Sequence, residues 1–268
     1  MIRSIGVVLA GLAVITTSTA LADASTISLS VNPSTLQLQA GDTQNVSVTN
    51  IGDASTNLTV AVGDYAMTPS GTVILNPRTA PKVSASRWLA VSPPMVALNP
   101  GESTTLSVRA TPPSTARPGD HEALVLLSGK PVRGQRGTVV VNARLGIGVL
   151  VRVPGDLRRR LTITRIRERG HGAKRTLQVG LTNMGNVNEV LARGQATATF
   201  TRRGRTTTCA LTGRRSILPG AKAVVVIRCP GALSRAVRAV VTIRSSAADV
   251  VGTASAAPVL RKVVRLNP

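Results

Sequence analysis

Two stretches sixty residues apart read alike without a gap: "LSVNPSTLQLQAGDTQNVSV" from Leu29 and "LAVSPPMVALNPGESTTLSV" from Leu89. Both follow L-x-V-[NS]-P-x-x-[LV]-x-L-x-x-G-[DE]-[ST]-x-x-[LV]-S-V, which spells a strand, a proline exit, a short strand, a glycine turn beside an acid, and a third strand. Sixty residues are too few for a whole sandwich. Both copies are therefore expected inside one domain of roughly 130 residues, as strand pairs in facing sheets. A different echo crosses into the second half of the chain. "VSVTNIGD" from Val46 recurs as "VGLTNMGN" from Val179, and "LNPGESTTLSV" from Leu98 has a weaker counterpart in "ILPGAKAVVVI" from Ile217. Two similar domains in tandem account for both matches.

The junction is marked by an alternation. In "VVVNARLGIGVLVRV" every odd position from Val139 to Val153 is apolar, including Ile147 and Val149, while the even positions include Asn142, Arg144, Gly146, Gly148 and Arg152. This is the pattern of a long last strand of domain one. Pro154-Gly155-Asp156 breaks it, and the boundary falls near 155. The expected division is an immunoglobulin-like domain at 23–154, a second, basic one at 155–251, and a basic tail at 252–268. Aromatic residues make up 1% of the chain while small and β-branched residues abound, which fits an all-β protein of two tandem immunoglobulin-like β-sandwiches.

The first 22 residues read as an export signal. A basic start at Arg3 precedes an apolar run from Ile5 to Ile15, too short for a membrane span, and Ala20-Leu21-Ala22 has the small-x-small form of a cleavage site. The expected mature protein is secreted or held at the cell surface, with no transmembrane segment.

Charge is divided unevenly. Residues 1–109 carry five basic and five acidic side chains, whereas residues 130–268 carry 27 basic and four acidic. Arginine supplies most of the excess, a residue suited to bidentate contact with carboxylate or phosphate. The candidates for contact with an anionic partner are Arg158, Arg159 and Arg160, then Arg202, Arg203 and Arg205, then Arg214 and Arg215. The last two groups flank one predicted strand and could converge at its ends. Nucleic acid is disfavoured by the exported compartment and by the lack of aromatics for base stacking. A wall polymer, an acidic surface protein or an anionic lipid surface are the partners that fit.

Cys209 and Cys229 are the only cysteines, and position 219, their midpoint, lies in a Leu-Pro-Gly turn. If the flanking segments form a hairpin the two face each other, and an oxidising compartment would join them in a disulfide. Closing such a loop stabilises by about 3 kcal/mol in the chain-entropy model. No cofactor is implied, and two histidines, His121 and His171, in different expected domains do not make a metal site. No nucleophile elbow, H-E-x-x-H helix or phosphate loop is present, so the chain reads as a non-enzymatic binding protein. Trp88, the only tryptophan, opens a strand whose alternation stops at Pro93. It reads as a core or corner residue before it reads as a ligand platform.

The stretches from Ser30 to Val62 and from Trp88 to Ser128, with the "RLGIGVLVRVPGD" exit, resemble the peptidoglycan-binding domain of bacterial WxL-interacting proteins. That resemblance implies that domain one associates with the cell wall, with Trp88 as a candidate contact, while domain two meets a partner protein or anionic polymer. The same segments are similar to periplasmic pilus chaperones, two-domain sandwiches whose alternating last strand in domain one completes an unfinished subunit. This alternative implies β-strand addition through Val139 to Val153, with Ile147 and Val149 as contacts. Those chaperones carry a basic residue near the start of domain one, and "NPSTLQLQ" has none.

Overall fold

The computed structural model describes residues 27–78, 83–131, 143–170, 176–202, 205–228, 238–247 and 259–265. The expected export signal lies outside them, as do Arg203 and Cys229, and of Arg202 only the backbone is described.

In the first sandwich one sheet runs β1 (Leu29–Asn32), β3 (Thr43–Asn50), β9 (Ser103–Ala110), β7 (Leu89–Ser92) in spatial order. The facing sheet runs β2 (Thr35–Gln39), β11 (Ala143–Val153), β10 (Gly119–Pro131), β4 (Thr56–Gly63), β8 (Met95–Leu98). A small hairpin, β5 (Tyr65–Met67) and β6 (Val73–Leu75), follows β4. Each copy of the repeat sends its first and third strands to one sheet and its middle strand to an outer edge of the other. The chain changes sheet at Pro33 and at Pro93, both preceded by cis peptide bonds. The two copies meet directly, because β3 pairs with β9 antiparallel from Thr43↔Arg109 to Thr49↔Ser103. Matching positions of the repeat fill the core: Leu38 with Leu98, Val46 with Leu106, and Val48 with Val108 are all buried. Each such side chain contributes roughly 1.5–3 kcal/mol of apolar burial.

The second sandwich has one sheet of β12 (Leu161–Arg169), β13 (Thr176–Asn183) and β18 (Lys222–Arg228). It faces β16 (Arg205–Ala210), β15 (Ala196–Arg202), β19 (Arg238–Arg244) and β21 (Val259–Arg265), in that order. A third small sheet joins β17 (Arg215–Ile217), β14 (Glu189–Leu191) and β20 (Ser246–Ala247). Residues 259–265, within the basic tail, form an edge strand on β19, with Leu260 and Val264 alternating inward onto the core. One sequence expectation changes here: the segments that flank the two cysteines are not a hairpin. Cys209 sits on β16, partly buried against the core, while β18, which leads to position 229, lies in the other sheet. A Cys209–Cys229 bond would join facing sheets, and it stands as a proposal.

The echo between the domains has a physical cause in one buried asparagine per sandwich. Asn50 ends β3 with its Nδ2 donating to the carbonyls of Ala54 (2.8 Å) and Leu98 (3.2 Å), while its Oδ1 accepts from Gly52 N. Asn183 ends β13 and repeats the set: Nδ2 to Val187 O (2.8 Å) and Ile217 O (2.9 Å), and Oδ1 from Gly185 N. Both side chains are fully buried. The glycine of each Pro-Gly turn, Gly101 or Gly220, donates its N–H to the same asparagine's own carbonyl. Replacing Asn50 by Ala leaves buried carbonyls without donors, and should lower first-sandwich stability by roughly 2–4 kcal/mol. Urea unfolding followed by the fluorescence of Trp88, the only tryptophan, reads that sandwich alone; an unchanged midpoint would refute the clamp.

Candidate functional site

The described chemistry collects where the two sandwiches meet. The start of β10, the end of β11 and the connecting residues 154–160 form the first wall, and the Asn183 turn with β14 forms the second. Asn186 at the tip of that turn is the hub. Its Nδ2 donates to Pro118 O (2.9 Å) and Asp156 O (2.8 Å), its Oδ1 accepts from Arg158 N (2.6 Å), and its carbonyl accepts from Asp120 N (2.7 Å). The approach is close enough to require glycine. A Cβ on Gly119, at φ +127°, would stand 2.4 Å from Asn186 O, and one on Gly185 would stand 2.2 Å from Arg158 O.

Two ion pairs lock the joint from inside. Arg152, in the last strand of domain one, grips Asp120 through Nε (2.6 Å) and Nη2 (2.8 Å), and Asp120 Oδ2 also accepts from Asn188 N of the second sandwich (2.6 Å). Arg159 in the connecting segment grips Glu189 through Nε (3.0 Å) and Nη2 (2.6 Å) and donates to Ser245 O. All four charged side chains are 4% exposed or less. Removing one partner of such a buried pair costs about 3–5 kcal/mol, so both pairs persist. The bond from Asn188 N to Asp120 joins the two sandwiches, and the Arg159 pair fastens the connecting segment to the second. A further tie crosses the interface, with Arg215 Nη2 donating to Thr68 O and Pro69 O of the β5–β6 turn. Burial pulls the Arg215 guanidinium below its usual pKa.

The side of the β10–β11 sheet that faces the joint grades from ionic to apolar. Asp120 pairs in register with Arg152, Glu122 with Leu150, Leu124 with Gly148, and Leu126 with Gly146. Leu150 packs on Val190 of the second sandwich. Glu122 is buried and accepts a hydrogen bond from the Tyr65 hydroxyl. Burial pushes its carboxyl from an ordinary 4.5 up to about 7; the Tyr65 bond opposes that rise and the Asp120 charge adds to it. Burial, then the Glu122 charge, push the Tyr65 phenol up as well. Beside these groups opens a cleft of about 710 Å³, lined among others by Tyr65, Met67, Arg117, His121, Arg158 and Leu218.

β11 itself is covered unevenly. β10 pairs with it along residues 143–153, but on the other side β2 reaches only residues 148–152. Among the described residues nothing pairs with the outer side of residues 143–147. The Gly148 N–H points to the β2 side, where it donates to Ser34 O. Strand backbone groups alternate in direction, so the N–H and C=O of Arg144 and Gly146 point to that same open side.

The sequence candidates divide accordingly. Ile147 and Val149 were expected to touch a partner, but they are 0% and 2% exposed in the first core and cannot present their side chains. The alternation that singled them out is the imprint of their own sandwich. Trp88 is half-buried against that core in a 3₁₀ turn (Ser86–Trp88), its ring 4.4 Å from that of His121. His121 bonds the Arg117 carbonyl and not a carboxylate. The arginines do not form one face. Arg159 and Arg215 are consumed by the domain joint, Arg158 is exposed and pairs with Asp156, and Arg160 is exposed. Arg205 opens β16 while Arg214 follows its far end, so these groups do not converge. Asp120, Glu122, Arg152, Asn186 and Glu189 were missed. The available signal was the acid pair in "RPGDHEALVLL" at the start of one strand and Arg152 at the end of the next. Among the described residues no group of three or more His, Cys, Asp or Glu is placed to hold a metal, and no helix is long and apolar enough to cross a membrane.

No family model matches the chain, and no curated protein matches it in sequence. Solved structures do share its architecture. The class 5 fimbriae chaperone CfaA superposes with a TM-score of 0.49 at 14% identity, covering 90% of this chain and 100% of its own. A chain from the complex of the Salmonella enterica SafA pilin with the SafB chaperone gives 0.48 at 12%, covering 90% and 98%. One from the CsuC–CsuE chaperone-tip pre-assembly complex of Acinetobacter baumannii Csu pili gives 0.48 at 13%, covering 87% and 97%. These are similarities of fold at low identity. The resemblance to WxL-interacting proteins finds no counterpart.

The Glu122 carboxyl sets a pH dependence. Its folded pKa lies above its unfolded value, so it contributes stability in full below about 4.5 and loses it as pH rises through about 7. Glu122→Gln, which mimics the protonated form, should flatten that slope and raise the melting temperature above the parent's at pH 8. Scanning calorimetry across pH 5–8 checks this, and equal slopes would contradict it.

Proposed function

We propose that this chain is an exported, non-enzymatic binding protein that captures an extended segment of a partner protein by adding it to the open edge of β11. The observation that carries the reading is the half-covered strand: Arg144 and Gly146 direct backbone donors and acceptors outward beyond the end of β2. An uncovered strand edge is normally blocked by proline, charge or a covering segment; here Arg144 puts one charge on the edge, and Gly146 leaves the position beside it without a side chain. Capture would therefore use main-chain hydrogen bonds, with the partner's side chains lying over Gly146 toward the half-buried Leu126. Ile147 and Val149 support the strand from behind.

The two domains make a rigid elbow for this edge. The Arg152–Asp120 pair holds β11 at its far end, so a captured segment meets a fixed template and loses little to reordering of the receptor. The partner class to test first is an unfinished surface-fibre subunit, the client that the sequence resemblance to pilus chaperones implies. No feature of the described surface favours wall association through Trp88.

Gly146→Pro tests the edge directly. A Cβ at that position would meet Leu124 and Leu126 only at ordinary contact distances of 3.7–3.9 Å, and the lost N–H belongs to the open side, so the β10 ladder is spared. Co-expressed with a pilin subunit that lacks its final strand, the parent chain should co-elute with it in size-exclusion chromatography. The Gly146→Pro chain should elute alone with its melting temperature within a few degrees. Undiminished co-elution of the variant, or none with the parent, would refute strand addition.

A further inference from the structure

The outer face of the β16-β15-β19-β21 sheet holds a pattern that neither the core nor the domain joint uses. On β19 the outward positions are Arg238, Val240, Thr242 and Arg244, and on the edge strand β21 they are Val259, Arg261, Val263 and Arg265. The register sets Arg238 opposite Arg265, Thr242 opposite Arg261, Val240 opposite Val263, and Arg244 opposite Val259. All four arginines are exposed, and Val259 and Val263 are 59% and 47% exposed. Behind them Thr197 and Thr199 of β15 continue the same face.

Like charges placed directly opposite on neighbouring strands repel, and bare valines on an edge strand cost solvation, so this arrangement works against the isolated protein. No carboxylate among the described residues pairs with any of the four arginines. The described acids of the second half are placed elsewhere: Asp156 pairs with Arg158, Glu189 with Arg159, and Glu168 lies on β12 in the other sheet. Among the described residues no acid of this chain supplies a counter-charge to the face, and an anionic surface would be complementary to it.

We propose that this face docks on the surface of a bilayer containing anionic phospholipid. The interleaving of aliphatic and guanidinium side chains selects that occupant. Lipid headgroups supply phosphate to the arginines, while the acyl boundary beneath them receives Val259 and Val263 in the same plane. A hydrated anionic polymer would complement the arginines and leave the valines in water. Sugar stacking has no platform here, because Phe200, the aromatic residue of this sheet, points into the core. The surface is separate from the open edge of β11, so the second sandwich could rest on a membrane while the first holds a client. Failure of either activity leaves the other intact.

Co-sedimentation of the purified full chain with vesicles tests the proposal. Vesicles of phosphatidylglycerol and phosphatidylcholine mixed should pull down the protein at low salt, and vesicles of phosphatidylcholine alone should not. Arg238→Gln with Arg265→Gln should weaken binding more than tenfold, at roughly fivefold per arginine removed, with an unchanged or raised melting temperature because a repulsive pair is relieved. Val263→Ser should weaken vesicle binding and leave retention on a dextran sulfate column unchanged. Arg214→Gln, away from this face, should behave as the parent. No sedimentation of the parent with anionic vesicles, retention by dextran sulfate alone, or equal binding by the double-glutamine and Val263→Ser chains would overturn it.

Discussion

A single carboxylate, Asp120, carries the constraint on which the arrangement of this molecule depends. It lies fully buried where three segments converge, held by the Arg152 fork from β11 and by the Asn188 amide of the second sandwich. A buried charge is tolerated only when its hydrogen-bonding capacity is met, and no one domain supplies all three donors. The sandwiches must therefore sit close enough for β14 to reach the first strand of the β10–β11 hairpin. Asn186 and the Arg159–Glu189 pair satisfy the surrounding backbone and exclude alternatives. The joint is specified by polar geometry, with an apolar contact, Leu150 on Val190, inside it.

That joint decides what β11 can do. Its end nearest the second domain is fixed by Arg152, and its middle is covered by β2. Among the described residues nothing pairs with the outer edge of its beginning, which lies beside a face that turns apolar with distance from Asp120. Strand addition, as proposed, makes two demands, and the chain would meet them at opposite ends of β11. Rigidity comes from the ionic end, and unpaired main-chain groups come from the other. The inner side chains of β11 face the core, so the selectivity of the proposed capture would rest on backbone pairing and on the half-buried Leu126.

Much of the fold could be read in the sequence because burial imposes periods on it. The sixty-residue repeat is visible since the same core positions and the same sheet-changing prolines are used twice, and the tandem echo is visible since a buried asparagine clamps each Pro-Gly turn. The candidate site was less legible. Arginine in a sequence carries no mark of whether its charge is spent internally, and Arg159 and Arg215 read as surface residues although they bind a buried glutamate and the carbonyls of another domain. Alternation likewise marks a buried face without saying whose core it fills, which is why Ile147 and Val149 were assigned to a partner. The register of β19 against β21, which opposes two arginines, depends on a strand pairing that the apolar pattern of the terminal segment left open.

Amide hydrogen exchange along β11, resolved residue by residue by NMR, bears most directly on the central claim that this strand offers an open edge. In the free protein the amides of Arg144 and Gly146 should exchange orders of magnitude faster than those of Leu145 and Ile147, which donate to β10. A client subunit should then slow Arg144 and Gly146 to the rates of their neighbours. Uniform protection across residues 144–147 in the free protein, or no change at Arg144 and Gly146 in the complex, would contradict it.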